Sequence, residues 1–521
     1  MKRHCLWCLG LIIPALLFAG GKKEGSPQGG TEVVEIEFVN MDAGWDVVDF
    51  GKDPVTAKFI EKTGVRLKCS APQGDWMQVA NVWLASGDYP EMMHMNASAV
   101  MDQYIAAGAL HPINKLAQRY GHTKIVGDYI YPNTVKAWTK PDGNFYLVPN
   151  WYSEDGFGTV GQAVNVRNDI YKQHGEPQLK NMEDMYNYLV KIRDANLKSP
   201  DGAKLWPMSY SQSDSEFFCY LSNIWGSKIS KYNYFDEKEQ KVKFMTRSPT
   251  VVSMLKWMSR ALREGLLDPD ALTYNGTTQA EAYVQGKYAV IFAWIWDLWT
   301  ADSALSQRNP EMYYRAIDVP QGNPGVQPYM GRTHLSGTSG TVVTKNAKNT
   351  EAAMRFINYF LSPEGEILNF YGIEGKTMEF RNGKPYLYPE AYEAKLADWN
   401  GYSKVAGIRI FDMMNNQKYN WEREQESEAR RIDRAMATRY AYDGTIQVVT
   451  IIDPLSDEGI LLAEIQANIV SQLTKIIMEP DQNKIQGLVD ALTSEYERKG
   501  IAKLESAWTR QYLEKYATGL R

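Results

Sequence analysis

The chain of 521 residues has only four cysteines, and two of them, Cys5 and Cys8, fall inside an N-terminal apolar stretch. Cys69 and Cys219 are left, too few for a disulfide framework, and either one bridge or two buried thiols would account for them. Histidine is equally scarce. Apart from His4 there are His94, His111, His122, His174 and His334, none at a metal-ligand spacing. No GxSxG, HExxH, P-loop or EF-hand pattern occurs, so the common hydrolase, zinc-protease and nucleotide signatures are missing. Gly156 to Gly161 matches GxGxxG, but Val160, Val164 and Val166 continue it as a strand. A dinucleotide site needs a helix N-terminus there for the pyrophosphate, so no cofactor and no metal are expected.

Basic blocks are absent too. Without Lys2 and Arg3 the 57 basic residues fall to 55 against 62 acidic ones, a net charge of −7. No stripe of Lys and Arg remains to hold phosphates, which argues against a nucleic-acid partner. The apolar run Leu6 to Phe18 is too short to span a bilayer; behind Lys2 and Arg3 it reads as a secretory signal, with residues 1–19 removed near Ala19. A lipoprotein signal would place Cys after Phe18-Ala19-Gly20, where Gly21 stands. The expected product is exported, periplasmic and soluble, with residues 20–30 as a flexible polar leader.

What is present reads as globular material, 44% hydrophobic and 23% charged, in a chain too long for one core. Two lobes are expected. Val33 to Val39, Val65 to Cys69 and Glu91 to Met95 have strand character; Asp53-Pro54 caps a helix that ends before Gly64, and Met77 to Ala85 is a second helix. Alternating elements predict an α/β fold. Helical spacing marks Val251 to Glu264, Glu351 to Leu361, Leu461 to Met478, Ile485 to Lys499 and Ile501 to Tyr516.

The positive signal is aromatic. After removal of Trp7 the chain keeps 14 Trp and 32 Tyr, many beside loop residues, as in Asn150-Trp151-Tyr152-Ser153 and Asp398-Trp399-Asn400-Gly401-Tyr402. A pyranose offers an apolar face and a rim of hydroxyls, so its site needs flat rings and in-plane polar groups. Candidates for such contacts are Trp45, Trp76, Asn96, Trp151, Tyr152, Trp225, Trp294, Trp296, Asp297, Trp399 and Tyr402. Trp294 or Trp296 is favoured because it follows the strand Tyr288 to Phe292, and open α/β sheets bind ligands at strand ends. Arg332 and His334 could take hydroxyls or an acidic sugar. A glycosidase would need two carboxylates roughly 5 to 9.5 Å apart; Asp88, Glu91, Asp297 and Glu374 could be nominated, and a secreted carbohydrate-active enzyme is the alternative function.

Leu84-Ala85-Ser86-Gly87-Asp88-Tyr89-Pro90-Glu91, Pro141-Asp142-Gly143-Asn144-Phe145-Tyr146, Val166-Arg167-Asn168-Asp169-Ile170-Tyr171, Gln285-Gly286-Lys287-Tyr288 and Tyr371-Gly372-Ile373-Glu374-Gly375-Lys376 follow in series. In that order they resemble the larger family 1 extracellular solute-binding proteins, the carbohydrate-binding components of ABC importers. The resemblance implies a non-enzymatic, monomeric protein with two α/β lobes around a ligand cleft, a saccharide ligand and the permease subunits of an importer as partners. It further implies crossings near 156–166, 335–343 and 385–400. The first lobe would be 31–158 plus about 340–390, the second 159–339 plus about 391–521. Some long members carry a calcium loop; here Lys204 and Leu205 stand where acidic ligands would be wanted in Asp194 to Pro207, so no calcium is expected.

Overall fold

The computed structural model describes residues 33–517 apart from 42–48, 75, 97–98, 141, 155–159, 212–216, 275, 334–336, 338, 398, 408–412, 421–424, 445, 447–448, 451 and 453–455. The signal and leader lie outside the described residues.

Five strands form the first sheet: β1 (Val34–Asn40), β2 (Val65–Ser70), β3 (Met92–Asn96), β4 (Val148–Asn150) and, from far along the chain, β12 (Ser339–Val343). Their order is β2-β1-β3-β12-β4, with β1 parallel to β2 and β3 and with β12 antiparallel to both neighbours. The second sheet has the order β10-β5-β9-β6, built from β5 (Gln162–Arg167), β6 (Trp206–Tyr210), β9 (Tyr288–Trp294) and β10 (Tyr314–Ile317). Three two-stranded pieces complete the set: β7 (Asn233–Asp236) with β8 (Lys241–Phe244), β13 (Met378–Arg381) with β14 (Lys384–Leu387), and β11 (Gly331–Thr333) with β15 (Ala441–Asp443). β5 is buried along its whole length and β9 at all but its last residue; the apolar run of β9 suits a strand covered on both faces, while Asn165 of β5 is accommodated by donating to the Ile291 and Ala293 carbonyls at 3.2 Å.

The helices start where the sequence supplies caps. Asp53 Oδ1 accepts from the N–H groups of Val55 and Thr56 at 2.9 and 2.8 Å, Pro54 opens the helix Pro54–Thr63, and Gly64 ends it at φ 65°. Asn181 and Asp184 form a reciprocal capping box on Met182–Asp194. The five later helices expected from spacing are present as Pro249–Arg263, Thr350–Phe360, Asp457–Ile477, Lys484–Arg498 and Ile501–Ala517. Asp457–Ile477 is long and apolar enough to cross a membrane by composition. Its Leu461, Ile465, Ile469, Leu473 and Ile476 are instead buried in the second core.

Two large cores match the two sheets. The first gathers Ile36, Phe38, Phe59, Met92, Val342, Phe356 and Phe360. The second joins Val164, Met208, Phe292 and Leu255 to Ile469, Val489 and Trp508 of the C-terminal helices. Full burial of side chains of this size is worth about 1.5–3 kcal/mol each. Met413 and Met414 belong to the first core, so the chain stays with the first lobe past residue 391, where a return to the second was expected. Cys69 lies in β2 and Cys219 in the second core; both are free thiols.

Strand β10 is an edge, and two helices cover it. Tyr314 N–H donates to Asp302 Oδ1 at 2.6 Å from Trp299–Arg308, and Ala316 N–H donates to Asp433 Oδ1 at 2.7 Å from Glu428–Arg439. Burial pushes Asp302 up to about 7 and Asp433 up to about 6; the donated N–H opposes each, as does the charge of Arg430. The carboxylates occupy backbone donors that would otherwise invite a foreign strand.

Candidate functional site

Two crossings locate the cleft. Asn150, the last residue of β4, leads through 151–161 into Gln162, the first of β5; Thr333 of β11 leads through 334–338 into Ser339 of β12. Ser339 pairs in register with Asn96 and Asn150, and Gln162 pairs with Trp294. The first crossing therefore joins the C-terminal edge of the first sheet to that of the second, and the other reaches the same edge of the first sheet from β11, whose Gly331 lies against Gln162; open α/β sheets form their crevices at such edges.

The first edge is built of amides and hydroxyls. β1, β3 and β4 end in Asn40, Asn96 and Asn150, β2 ends in Ser70, and β12 begins at Ser339. Behind them His94 bridges the Met413 carbonyl through Nδ1 and Ser339 Oγ through Nε2, both at 3.1 Å. A carbonyl only accepts, so Nδ1 carries a proton. Asn150 Oδ1 accepts from the Asn415 N–H at 3.0 Å. Gly337 has φ 72°, and a Cβ there would lie 1.9 Å from the Asn150 carbonyl oxygen, so only glycine fits this crossing.

The second edge is aromatic. Trp294 and Trp296 stack at 4.7 Å between centroids with an interplanar angle of 25°, and Tyr220 meets Trp294 edge-on at 5.8 Å. Such pairs add about 0.5–1.5 kcal/mol beyond burial and hold the rings in place. Arg332 donates from Nη1 to the Tyr220 hydroxyl at 2.6 Å, its guanidinium 5.6 Å from that ring's centroid. Trp296 lies over Gly161, where a Cβ would come within 2.0 Å of the indole. Asp297 Oδ2 accepts from Ser211 Oγ at 3.4 Å, just past the end of β6.

Residues 44–367, more than half of the chain, match the family described as bacterial extracellular solute-binding protein. The chain belongs to that family. This solute-binding protein is 23% identical over 340 residues to the fructooligosaccharide ABC transporter substrate-binding protein FusA of Streptococcus pneumoniae, a match spanning 62% of this chain and 61% of that one. A solved structure of S. pneumoniae FusA in complex with kestose has a TM-score of 0.72 at 17% identity, covering 93% of this chain and all of the other. The alginate-binding protein AlgQ2, solved without calcium ion, gives 0.71 at 18% identity over 92% of this chain and 98% of that one. At these identities the solved structures establish the two-lobed fold.

The sequence candidates divide within this solute-binding protein. Trp294, Trp296 and Asp297 sit together at the second edge, and Asn96 at the first. Trp151, at φ 56° just past β4, packs edge-on to Phe370 at 6.4 Å; half-buried Tyr402 joins the same small cluster, and Trp399 opens the helix Trp399–Ala406. Trp76 opens the helix Trp76–Ser86 half-buried against the first core. Trp225 lies against the second core over Gly322, where a Cβ would approach it to 2.4 Å. Trp45 and His334 lie outside the described residues.

Two candidates are corrected. Tyr152 is fully buried, and its hydroxyl donates to the Tyr129 carbonyl at 2.9 Å, so it supports the crossing from beneath. Arg332 is 4% exposed and tied to Tyr220, which makes it a brace for the aromatic cluster. Tyr220 itself escaped sequence reading, because it sits in the helix Phe217–Asn223 among apolar neighbours with no loop signal.

The nominated carboxylates do not converge either. Glu91 precedes β3 at the far edge of the first sheet, accepting from the N–H groups of Glu37 and Lys348 at 3.0 and 2.8 Å, whereas Asp297 lies at the cleft edge of the second. In the loop from Asp194 to Pro207, Ser199 N–H donates to the Ala203 carbonyl and Asp201 accepts from the Ala203 N–H at 3.3 Å, while Lys204 rests over the Trp206 ring at 3.3 Å. Among the described residues, no three His, Cys, Asp or Glu side chains group to hold a metal ion.

Proposed function

We propose that this protein captures a carbohydrate outside the cytoplasmic membrane and delivers it to the permease subunits of an ABC importer. The observation that carries the reading is the Trp294–Trp296 pair, braced by Tyr220 and seated on Gly161, at a sheet edge next to the crossings. Flat indoles of this kind suit the CH face of a pyranose or furanose ring, while Asn96 and Asp297 supply in-plane acceptors. The sugar-binding relatives of the same family support it. Ligand bound to one lobe gains further contacts when the other closes, and that differential affinity shifts the open–closed equilibrium. We further propose that the exported form is soluble in the periplasm, since Gly21 stands where a lipid-bearing Cys would be needed, and that it acts as a monomer without nucleic-acid partners.

A thermal-shift screen over oligosaccharides tests the reading. A ligand at 100 times its Kd stabilises the folded state by about 2.7 kcal/mol. Trp294→Ala should abolish the shift while leaving the unliganded melting temperature within a few degrees. Wild-type shifts in that variant, or turnover of a sugar by the wild type, would defeat the proposal.

A further inference from the structure

The helix Glu428–Arg439 lies along β10 and β5 and reaches the surroundings of the tryptophan pair at several points. Arg430 and Asp433 are three residues apart, and Met436 and Ala437 follow at helical spacing, so the four share one face. The Arg430 guanidinium stands 4.5 Å from the centroid of the Trp299 ring, just past the turn Ile295–Leu298 that carries Trp296. Asp433, only 8% exposed, accepts the Ala316 N–H at 2.7 Å. Met436 packs on Ala163, Ile295 and Ala316, the small cluster on which Trp296 also packs. Ala316 is thus held twice by this helix, through its N–H and through its methyl group. Ile295, between the two tryptophans, donates its N–H to the Gly161 carbonyl at 2.8 Å. Beyond the helix, the Tyr440 carbonyl accepts from the Met330 N–H at 2.9 Å, and β15 pairs with β11, whose Arg332 meets the Tyr220 that braces Trp294.

We propose that Asp433 is a positioning residue for the Trp294–Trp296 platform. It fixes where the helix sits along β10, and therefore where Met436, one turn on, supports the turn that carries Trp296. The proposal rests on the carbohydrate reading of the pair and deepens it. Gly161, Ala163 and Ala316 are small, so Ile295 and Met436 supply most of the bulk around Trp296 in this cluster. A slip of one residue along a helix axis is about 1.5 Å, and a close-packed cluster passes such a displacement on to its neighbours. A single short hydrogen bond to the strand edge is what sets the register here.

Fluorine NMR of the full chain labelled with fluorotryptophan tests it, the Trp296 and Trp508 resonances being assigned by Trp296→Phe and Trp508→Phe. Trp508 is buried among the C-terminal helices of the second core and reports general damage. Asp433→Ala, which removes the acceptor, and Asp433→Glu, which lengthens it, should move or broaden the Trp296 resonance and leave that of Trp508 in place. Asp433→Asn, of the same length, should keep the wild-type signal, and Met436→Ala should reproduce the change seen with Asp433→Ala. Calorimetry with the oligosaccharide that most raises the wild-type melting temperature should show affinity lowered about tenfold in the same variants and unchanged in Asp433→Asn. If Asp433→Ala does not fold, the contrast between the Glu and Asn variants decides. A Trp296 signal unmoved by both Ala and Glu, a Trp508 signal that moves with it, or an unchanged affinity where the Trp296 signal has moved would overturn the proposal. If no oligosaccharide binds the wild type, the carbohydrate reading falls as a separate result, and the fluorine signals still decide whether Asp433 holds Trp296.

Discussion

Asp302→Asn should stabilise the second lobe in alkali and leave it unchanged in acid. The carboxyl holds the Tyr314 N–H at 2.6 Å on the edge of β10, a bond that an Asn side-chain oxygen can keep. Burial lifts Asp302 from an ordinary 3.8 to about 7, helped by the nearby charge of Asp433. The unfolded chain ionises near 3.8, so what the buried acid contributes to stability is complete below that pH and is lost as pH rises through 7. Three units of elevation at about 1.4 kcal/mol each give a ceiling of roughly 4 kcal/mol at pH 8. Sharing of the field with Asp433 brings the expected gain to about 2–3 kcal/mol. Urea unfolding followed by tryptophan fluorescence at pH 4, 6 and 8 reads it directly. A difference between variant and wild type that does not change with pH would refute the reasoning, as would an Asn variant that is less stable at pH 8.

Glu366→Gln should act with the same sign, because Glu366 is fully buried, accepts one N–H from Asn416 at 3.0 Å and is driven upward by desolvation; its melting temperature should exceed that of wild type at pH 8 and converge with it near pH 4. Gly161→Ala drives a methyl into the Trp296 indole; about 1–3 kcal/mol of destabilisation is expected in urea, together with weaker sugar binding by calorimetry. Tyr152→Phe removes the hydroxyl bond to Tyr129, costing about 0.5–1.5 kcal/mol in the same unfolding assay without changing Kd, since the ring lies beneath the crossing.

The local architecture was legible wherever a short window holds the whole signal. Asp53-Pro54 and Gly64 bracket their helix, and the C-terminal helices fall within a few residues of their spacing. Trp294 and Trp296 could be assigned to a strand end because β9 is a single apolar run. What escaped depends on distant partners. Nothing near Ser339 shows that it pairs with both Asn96 and Asn150, and three asparagines at three strand ends share no spacing. Tyr152 looks like a loop aromatic beside Asn150 and Trp151, but Asn415 and Gln417 arrive from more than 260 residues away to bind its backbone and enclose it. Arg332 reads as a surface cation until Tyr220 is placed against it.

The position of β12 sets the order in which the chain can acquire its fold. All four strands of the second sheet lie between Gln162 and Ile317, so that sheet can assemble as soon as those residues are made. The first sheet cannot. Its β4 has no partner until β12 arrives between it and β3, and Ser339 is 189 positions beyond Asn150. Closing so long a loop is slow, and the contacts that reward it come last. For a chain bound for export that delay is an advantage: the N-terminal half, first to meet the translocation channel, is the half that stays incomplete and threadable for longest.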